Sequence, residues 1–294
     1  MSKKVCLITG GNAGIGRAAA IQLAEQGADV MVASRSRDRG EEAVAAIKRE
    51  SGNDTVSLVI MDLSSKPSIE AACDAFKADH DRLDVLIHNA ADFDITRKEP
   101  VYSEEDVETV WATNHIGPVF LTHMVMGELS RSEEGRVITV ASKGLLTHPF
   151  LKVNLEDPEF RKGSFRVAKA YYQSKLAQVM YTYWLAERFR GTSMTANCVR
   201  VTNVKVDMAR YPNVSSFLKW LYSIKSRFSI SPERMAETYV WLALSPDVAG
   251  ASGGYFDENR HRVASSRYST DPTNIRLVME STERYVPGLL ANPA

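Results

Sequence analysis

The sequence predicts an α/β fold, a single doubly wound domain with a mostly parallel sheet and helices on both faces. Three observations carry this. Short apolar runs alternate with helix-period segments through the first half of the chain. The runs are nearly continuous in Val, Ile and Leu, as strands buried on both faces require. A glycine-rich stretch joins the first run directly to the first helical pattern.

Residues 5–8 (Val-Cys-Leu-Ile) form the first expected strand. Residues 15–26 follow as a helix, with Ile15, Ala18, Ala19 and Leu23 recurring at helical spacing. Residues 29–33 read as the second strand and 41–50 as the second helix. Further strands are expected at 56–61, 85–87 and 136–140, separated by helices at 68–79 and 104–129. A long helix is expected at 165–190, then a strand at 195–201. Residues 207–230 are rich in large apolar side chains (Tyr211, Phe217, Trp220, Tyr222, Phe228) and are interrupted by Pro212. They read either as an apolar flap over a cleft or as a surface helix with an ordinary buried face. A helix at 232–244 follows. The polar extension from 258 to the end carries a last helix near 273–283. No repeat or low-complexity linker divides the chain, so one domain over 1–294 is expected.

Lys+Arg and Asp+Glu each number 36 in 294 residues, so the formal net charge is zero. Such a chain has no global attraction for nucleic acid or anionic lipid, and no nucleic-acid partner is expected. Cys6, Cys73 and Cys198 lie far apart without paired spacing, which fits a reducing compartment and a cytoplasmic location. No apolar run approaches the ~18 residues of a membrane span, so no transmembrane anchor is expected. The six histidines show no metal spacing, so no metal is expected.

The glycine stretch runs Thr9-Gly10-Gly11-Asn12-Ala13-Gly14-Ile15-Gly16. Between a strand and a helix start, unpaired backbone N–H groups and the helix dipole favour a phosphate. Glycines let the backbone approach a pyrophosphate closely. Gly10, Asn12, Gly14, Ile15 and Gly16 are therefore candidate dinucleotide contacts. At the end of the second strand an acid would mark selection of NAD through its ribose hydroxyls. The chain has Ser34-Arg35-Ser36-Arg37 there and no carboxylate from 30 to 37. Ser34, Arg35 and Arg37 point instead to a 2′-phosphate, and so to NADP(H).

With this loop, the chain has Asp62-Leu63 after the third strand and Asn89-Ala90-Ala91 after the fourth. It has Asn114 in a helix, Ser142 after the fifth strand, and Tyr171-Tyr172-Gln173-Ser174-Lys175. In this order the motifs resemble the short-chain dehydrogenase/reductase family, a Rossmann-type fold, over roughly the first 180 residues. Tyr171–Ala177, Asn114-His115-Ile116-Gly117 and the insertion before Tyr171 resemble its retinol dehydrogenase and WW-domain oxidoreductase branch. The resemblance implies that Asp62 and Leu63 sit at the adenine and that Asn89, Ala90 and Ala91 line the dinucleotide. It also implies cofactor contacts from Tyr171 and Lys175 and a backbone contact from Val204. Tyr171 and Lys175, four apart on a helix, share a face. The ammonium favours phenolate, turning Tyr171 into an acid/base for an alcohol–carbonyl pair. Ser142 would hold the carbonyl oxygen, and Asn114 would hold a water linking Lys175 to solvent.

The resemblance further implies a lipophilic aldehyde, ketone or alcohol as substrate and a homodimer or homotetramer. Val201-Thr202 stands where the family has Pro-Gly, and Val206 where it has Thr, in the stretch that grips the nicotinamide. That departure keeps a rival expectation open: a non-catalytic NADP(H)-binding, redox-sensing protein.

Overall fold

The computed structural model describes residues 3–205 and 229–291. The stretch 207–230 therefore lies outside the described residues except for Ser229 and Ile230, as does Val206.

β1 (Val5–Thr9) is buried along its whole length because it lies inside the sheet. It leads through the glycine loop into α1 (Gly14–Glu25), then β2 (Asp29–Ser34), α2 (Arg37–Ser51), β3 (Val56–Ile60), α3 (Lys66–Asp79) and β4 (Val85–His88). β5 (Arg136–Ser142) and β6 (Thr195–Val201) extend the sheet on the other side, and β7 (Gly254–Phe256) ends it. The strand order is β3-β2-β1-β4-β5-β6-β7, and every pairing is parallel. The chain leaves β1 in one direction and β4 in the other, so a crevice opens at the carboxyl ends of these two strands.

Both faces of the sheet are covered. One apolar cluster packs Ala19, Leu23 and Tyr239 against Ile8, Val32 and Val199. The other packs Phe76, Trp111, Met180 and Val278 against Leu7, Leu86 and Val137. This is the two-faced burial that the continuous apolar strands require.

The helix expected over 104–129 is broken into pieces. α4 is a single turn, Thr109–Trp111, followed by a π-helical turn at Ala112–Ile116, α5 (Gly117–Met124) and α6 (Met126–Ser130). The Glu108 carboxylate starts it by accepting from Val110 N at 3.1 Å and Trp111 N at 2.9 Å. Pro118 has no N–H to donate to the Asn114 carbonyl four residues earlier, so the α-helical ladder cannot run through this point. Gly117 lies so close to the Leu63 carbonyl that a Cβ there would collide with it.

α7 (Val167–Arg188) carries the Tyr171–Lys175 motif, and α8 (Pro232–Leu244) covers the opposite face. Gln173 of α7 ties down the insertion before it, donating to Pro158 O at 3.0 Å and accepting from Asn154 N at 3.1 Å. α9 (Arg267–Thr270) and α10 (Pro272–Glu283) end the fold, with α10 packed on α7. β7 was not expected: three residues in a polar stretch carry no alternation to read.

Candidate active site

The glycine loop is built to leave donors open. Gly10 and Gly14 have φ of +64° and +56°, where a side chain would be strained. The cap position of α1 is Ala13, and no side chain bonds the first-turn N–H groups. By contrast α3, α8 and α10 are capped by Ser65, Ser231 and Asp271. The first turn of α1 also holds no acid. An anion is therefore the complement this helix start lacks.

Gly16 acts differently. It is buried, and a Cβ there would strike Asn89 Nδ2 and the Gly10 carbonyl oxygen. Asn89 Nδ2 donates to Thr9 O at 3.0 Å and to Gly10 O at 3.2 Å, so this amide staples the loop to the end of β4. Thr9 Oγ1 accepts from Ala90 N at 3.1 Å and completes the tie.

The loop opens onto a cleft of about 800 Å³. Gly10, Asn12, Gly14, Ile15, Ser34, Arg35, Asp62, Leu63, Asn89, Ala90, Ala91 and Val204 all line it. Gly16 lies beneath it. Arg37 does not line it: it begins α2 and pairs with Glu41 at 3.6 Å, both side chains well exposed. Arg39, one position short of a helical turn further on, lines the cleft instead. Among the described residues, no ion pair engages Arg35 or Arg39. These features fit a phosphorylated dinucleotide: open N–H donors at the loop, and two uncommitted guanidinium groups beyond β2. Asp62 is otherwise occupied, accepting from Ser64 N and Ser64 Oγ at 2.8 and 2.7 Å.

Asp92 and Thr113 continue the cleft wall towards α7. Asn114, buried in the π-turn, spends its whole amide inside the protein. Its Oδ1 accepts from Asp92 N at 2.7 Å, and its Nδ2 donates to Asp92 O and Ser174 Oγ at 3.0 and 3.1 Å. Ser174 Oγ in turn donates to Tyr171 O at 2.7 Å. The Asn114 side chain thus holds α7 to the β4 loop. A water relay through this residue would use its main-chain carbonyl, which Pro118 leaves without an α-helical donor.

Lys175 is buried and donates to Val140 O at 2.9 Å, with Nζ 5.7 Å from the Tyr171 ring centre. Burial pushes its pKa down to about 8. Tyr171 stacks on Phe93 at 4.2 Å and meets Tyr172 edge-on at 5.3 Å. His148 packs on the far side of Tyr172 at 4.3 Å. Ser142 ends β5, and its Oγ accepts from Gly144 N at 3.1 Å. A Cβ on Gly144 would stand 2.5 Å from Tyr172 Oη, so the Ser142 loop lies against the Tyr171–Tyr172 pair. Ser142, Tyr171 and Lys175 stand outside the lining of the dinucleotide cleft itself. In the altered stretch, Val204 and Lys205 line the cleft, and Lys205 N donates to Ile230 O at 3.0 Å. Among the described residues no cluster of three His, Cys, Asp or Glu could hold a metal, and no helix is long and apolar enough to cross a membrane.

Sequence reasoning missed Arg39, Asp92 and Thr113. The start of α2 at Arg37 would have exposed Arg39, because helical spacing from there turns Arg39 and Arg37 to different directions.

The family model for short chain dehydrogenases matches residues 4–151. Retinol dehydrogenase 14 of Mus musculus is 34% identical over 269 residues, covering 88% of this chain and 78% of its own. Retinol dehydrogenase 12 of Bos taurus is 33% identical over 280 residues, covering 95% and 85%. A crystal structure of an uncharacterised protein from Mycobacterium paratuberculosis superposes with a TM-score of 0.74 at 23% identity, covering 97% of this chain and 93% of that one.

Proposed function

The chain belongs to the short-chain dehydrogenase family, in its retinol dehydrogenase branch, and is an NAD(P)-dependent oxidoreductase of alcohol and carbonyl groups; from that premise we propose that it uses NADP(H) on an apolar aldehyde, ketone or alcohol. The observation that carries the cofactor choice is the end of β2. Arg35 and Arg39 line the cleft without a carboxylate partner among the described residues, and Ser34 stands beside them. Guanidinium groups pair with a phosphate through parallel, charge-assisted hydrogen bonds, which a ribose hydroxyl cannot match.

The residues fit the dinucleotide along its length. Backbone N–H groups of the loop and of the α1 start would hold the pyrophosphate. Asp62 and Leu63 would flank the adenine, Asn89, Ala90 and Ala91 the middle, and Val204 the nicotinamide end. When bound, NADP(H) supplies the hydride. Tyr171 would move the proton at the substrate oxygen, and Ser142 would orient that oxygen by a hydrogen bond. The Lys175 ammonium would hold the Tyr171 phenol towards its ionised form. Asn114 would keep Tyr171 in place through Ser174 and offer its main-chain carbonyl to a water. Asp92 and Thr113 carry the cleft wall from the loop towards the Tyr171 helix, which supports reading the chain as one domain.

An apolar substrate is supported by what surrounds Tyr171: Phe93 and Tyr172 flank it, and Leu146 and Phe150 are exposed on the loop beyond Ser142, at 57% and 92%. The redox-sensing rival could not act through a thiol, and sensing by NADP(H) binding alone is what the turnover screen separates from catalysis. All three cysteines are buried, and burial pushes Cys73 up to about 12 and Cys198 up to about 11. A turnover screen of aliphatic, aromatic and polyene aldehydes and ketones with NADPH and NADH tests the proposal. Reduction of apolar carbonyls with NADPH preferred is expected. A folded protein that binds NADPH but reduces none of them would contradict it. Sedimentation of the same sample reads whether it forms the homodimer or homotetramer that belongs to this reading.

A further inference from the structure

We infer that the C-terminal helix α10 and the residues just past it clamp the turn that carries Asn114, making Thr282 and Tyr285 positioning residues for the Tyr171 chemistry; this rests on the enzymatic reading above. The clamp has two arms, and they reach opposite ends of one short segment.

The rear arm ends on His115, the residue after Asn114 in the π-turn. Thr282 Oγ1 lies 2.9 Å from His115 Nε2 and donates its own proton to Val278 O at 2.8 Å. Gln178 Nε2 of α7 donates to His115 Nδ1 at 3.2 Å. The imidazole proton therefore sits on Nε2 and is given to Thr282. His115 and Thr282 are both fully buried. The ring is wedged between Trp111, at 4.5 Å, and the edge of Tyr181, at 6.4 Å. Burial pushes the His115 pKa down to about 3, so it serves as a neutral strut and not as an acid.

The front arm ends on Glu108, the cap of α4. Tyr285 Oη donates to Glu159 Oε1 at 2.8 Å, and Glu159 Oε2 accepts from Glu108 N at 3.1 Å. Glu108 is fully buried, and its carboxylate starts the turn that leads to Asn114. Residues three apart at the C-terminal end thus fix both ends of segment 108–115.

What this segment positions is Tyr171. Between the two arms Asn114 bonds Asp92 and Ser174, and Ser174 bonds the Tyr171 carbonyl. Asp92 precedes Phe93, which stacks on the Tyr171 ring. A π-turn has poor intrinsic geometry and depends on such outside ties. Without the Thr282 hydroxyl, the His115 N–H would be buried with no acceptor, and the turn would shift to relieve it. The dinucleotide cleft is built mainly on other elements, so the shift should reach rate before cofactor binding.

Thr282→Val, Thr282→Ser and Tyr285→Phe test this in the full-length protein. The readouts are kcat and KM with a carbonyl that the wild type reduces, NADPH Kd by fluorescence, and amide hydrogen exchange over 108–116. Thr282→Val should lower kcat by between about 10-fold and 100-fold, the cost of a small misplacement of a reacting group. KM and NADPH Kd should hold within about twofold, exchange should quicken over 108–116 but not in β1 or α1, and Thr282→Ser should restore both. Tyr285→Phe should lower kcat in the same sense. A folded Thr282→Val protein with wild-type kcat, or with unchanged exchange over 108–116, overturns the clamp. An inert wild type would instead defeat the enzymatic reading, and exchange would still decide the clamp.

Discussion

The Lys175 ammonium stands 5.7 Å from the centre of the Tyr171 ring, one helical turn away on the same face of α7. It is buried, held by the Val140 carbonyl at 2.9 Å, and faces the buried Cys198 thiol and His88 imidazole. Burial has already brought its pKa down to about 8, so its positive charge is lost as pH rises through about 8. If that charge supports the Tyr171 phenolate, kcat/KM, which reports the free enzyme, should fall as pH rises through about 8, approaching tenfold per unit. Lys175→Arg keeps its charge far above that pH, so its profile should stay flat past pH 9 at a lower plateau. A pH–rate series on both proteins checks this.

The cofactor reading turns on two arginines. Arg35→Ala should weaken NADPH by ~1.5–3 kcal/mol, the range for a lost charged hydrogen bond, and leave NADH nearly unchanged. Arg39→Ala should act in the same direction, whereas Arg37→Ala should not, because Arg37 pairs with Glu41 away from the cleft. Fluorescence titration of each variant with both cofactors separates the three. An equal loss of NADH and NADPH would show that Arg35 does not read the phosphate.

Gly16 is the loop position least able to accept a side chain. A Cβ there strikes the Asn89 amide and the Gly10 carbonyl at once. Gly16→Ala should destabilise the fold by about 1–3 kcal/mol through overpacking. It should also weaken NADPH, because Asn89 holds the loop in shape. Gly127→Ala makes a control, since its φ is not positive and the nearest atom to its Cβ position is the end of the Arg131 side chain at 3.9 Å. Denaturant unfolding and NADPH titration of both variants check the difference.

His88 and His115 should make the protein acid-sensitive. Both are fully buried, and burial lowers each pKa from 6.5 to about 3. The unfolded chain therefore binds two more protons than the folded one between about pH 3 and 6.5, so stability falls as pH falls through that window. Each histidine contributes about 1.4 kcal/mol per pH unit there, or about 4 kcal/mol for the pair between pH 7 and 5. Urea unfolding at the two pH values measures this. His88→Gln should remove about half of its own and His115's combined effect, since only one histidine then titrates.

Much of this molecule was legible in its sequence. β1 and β4 were legible because strands buried on both faces must be apolar without interruption, and the other four because an apolar run survives the polar residues within them, such as Ser57, Asn197 and Arg200. The glycine loop was legible because three of its four glycines have fixed spacing, although their separate duties were not: positive φ at Gly10 and Gly14, close packing at Gly16. The π-turn was hidden because one extra residue in a turn barely disturbs an apolar periodicity, and Pro118 reads as a tolerated helix residue from composition alone. β7 was hidden by its length. Arg39 was hidden because the sequence pattern places the second helix only from 41, whereas α2 begins at Arg37. The ties from Thr282 to His115 and from Tyr285 to Glu159 join residues more than 120 positions apart, which no local pattern can announce.

The central claim is that Tyr171 transfers the proton in an NADPH-dependent carbonyl reduction. Tyr171→Phe removes the hydroxyl and keeps the ring that stacks on Phe93. Its single-turnover hydride transfer, measured beside wild type on the best carbonyl of the screen, tests the claim most directly. The rate should fall by about 10²–10⁴-fold, the contribution of a positioned acid/base, while NADPH Kd is unchanged. A Tyr171→Phe protein that reduces the carbonyl at the wild-type rate would contradict it.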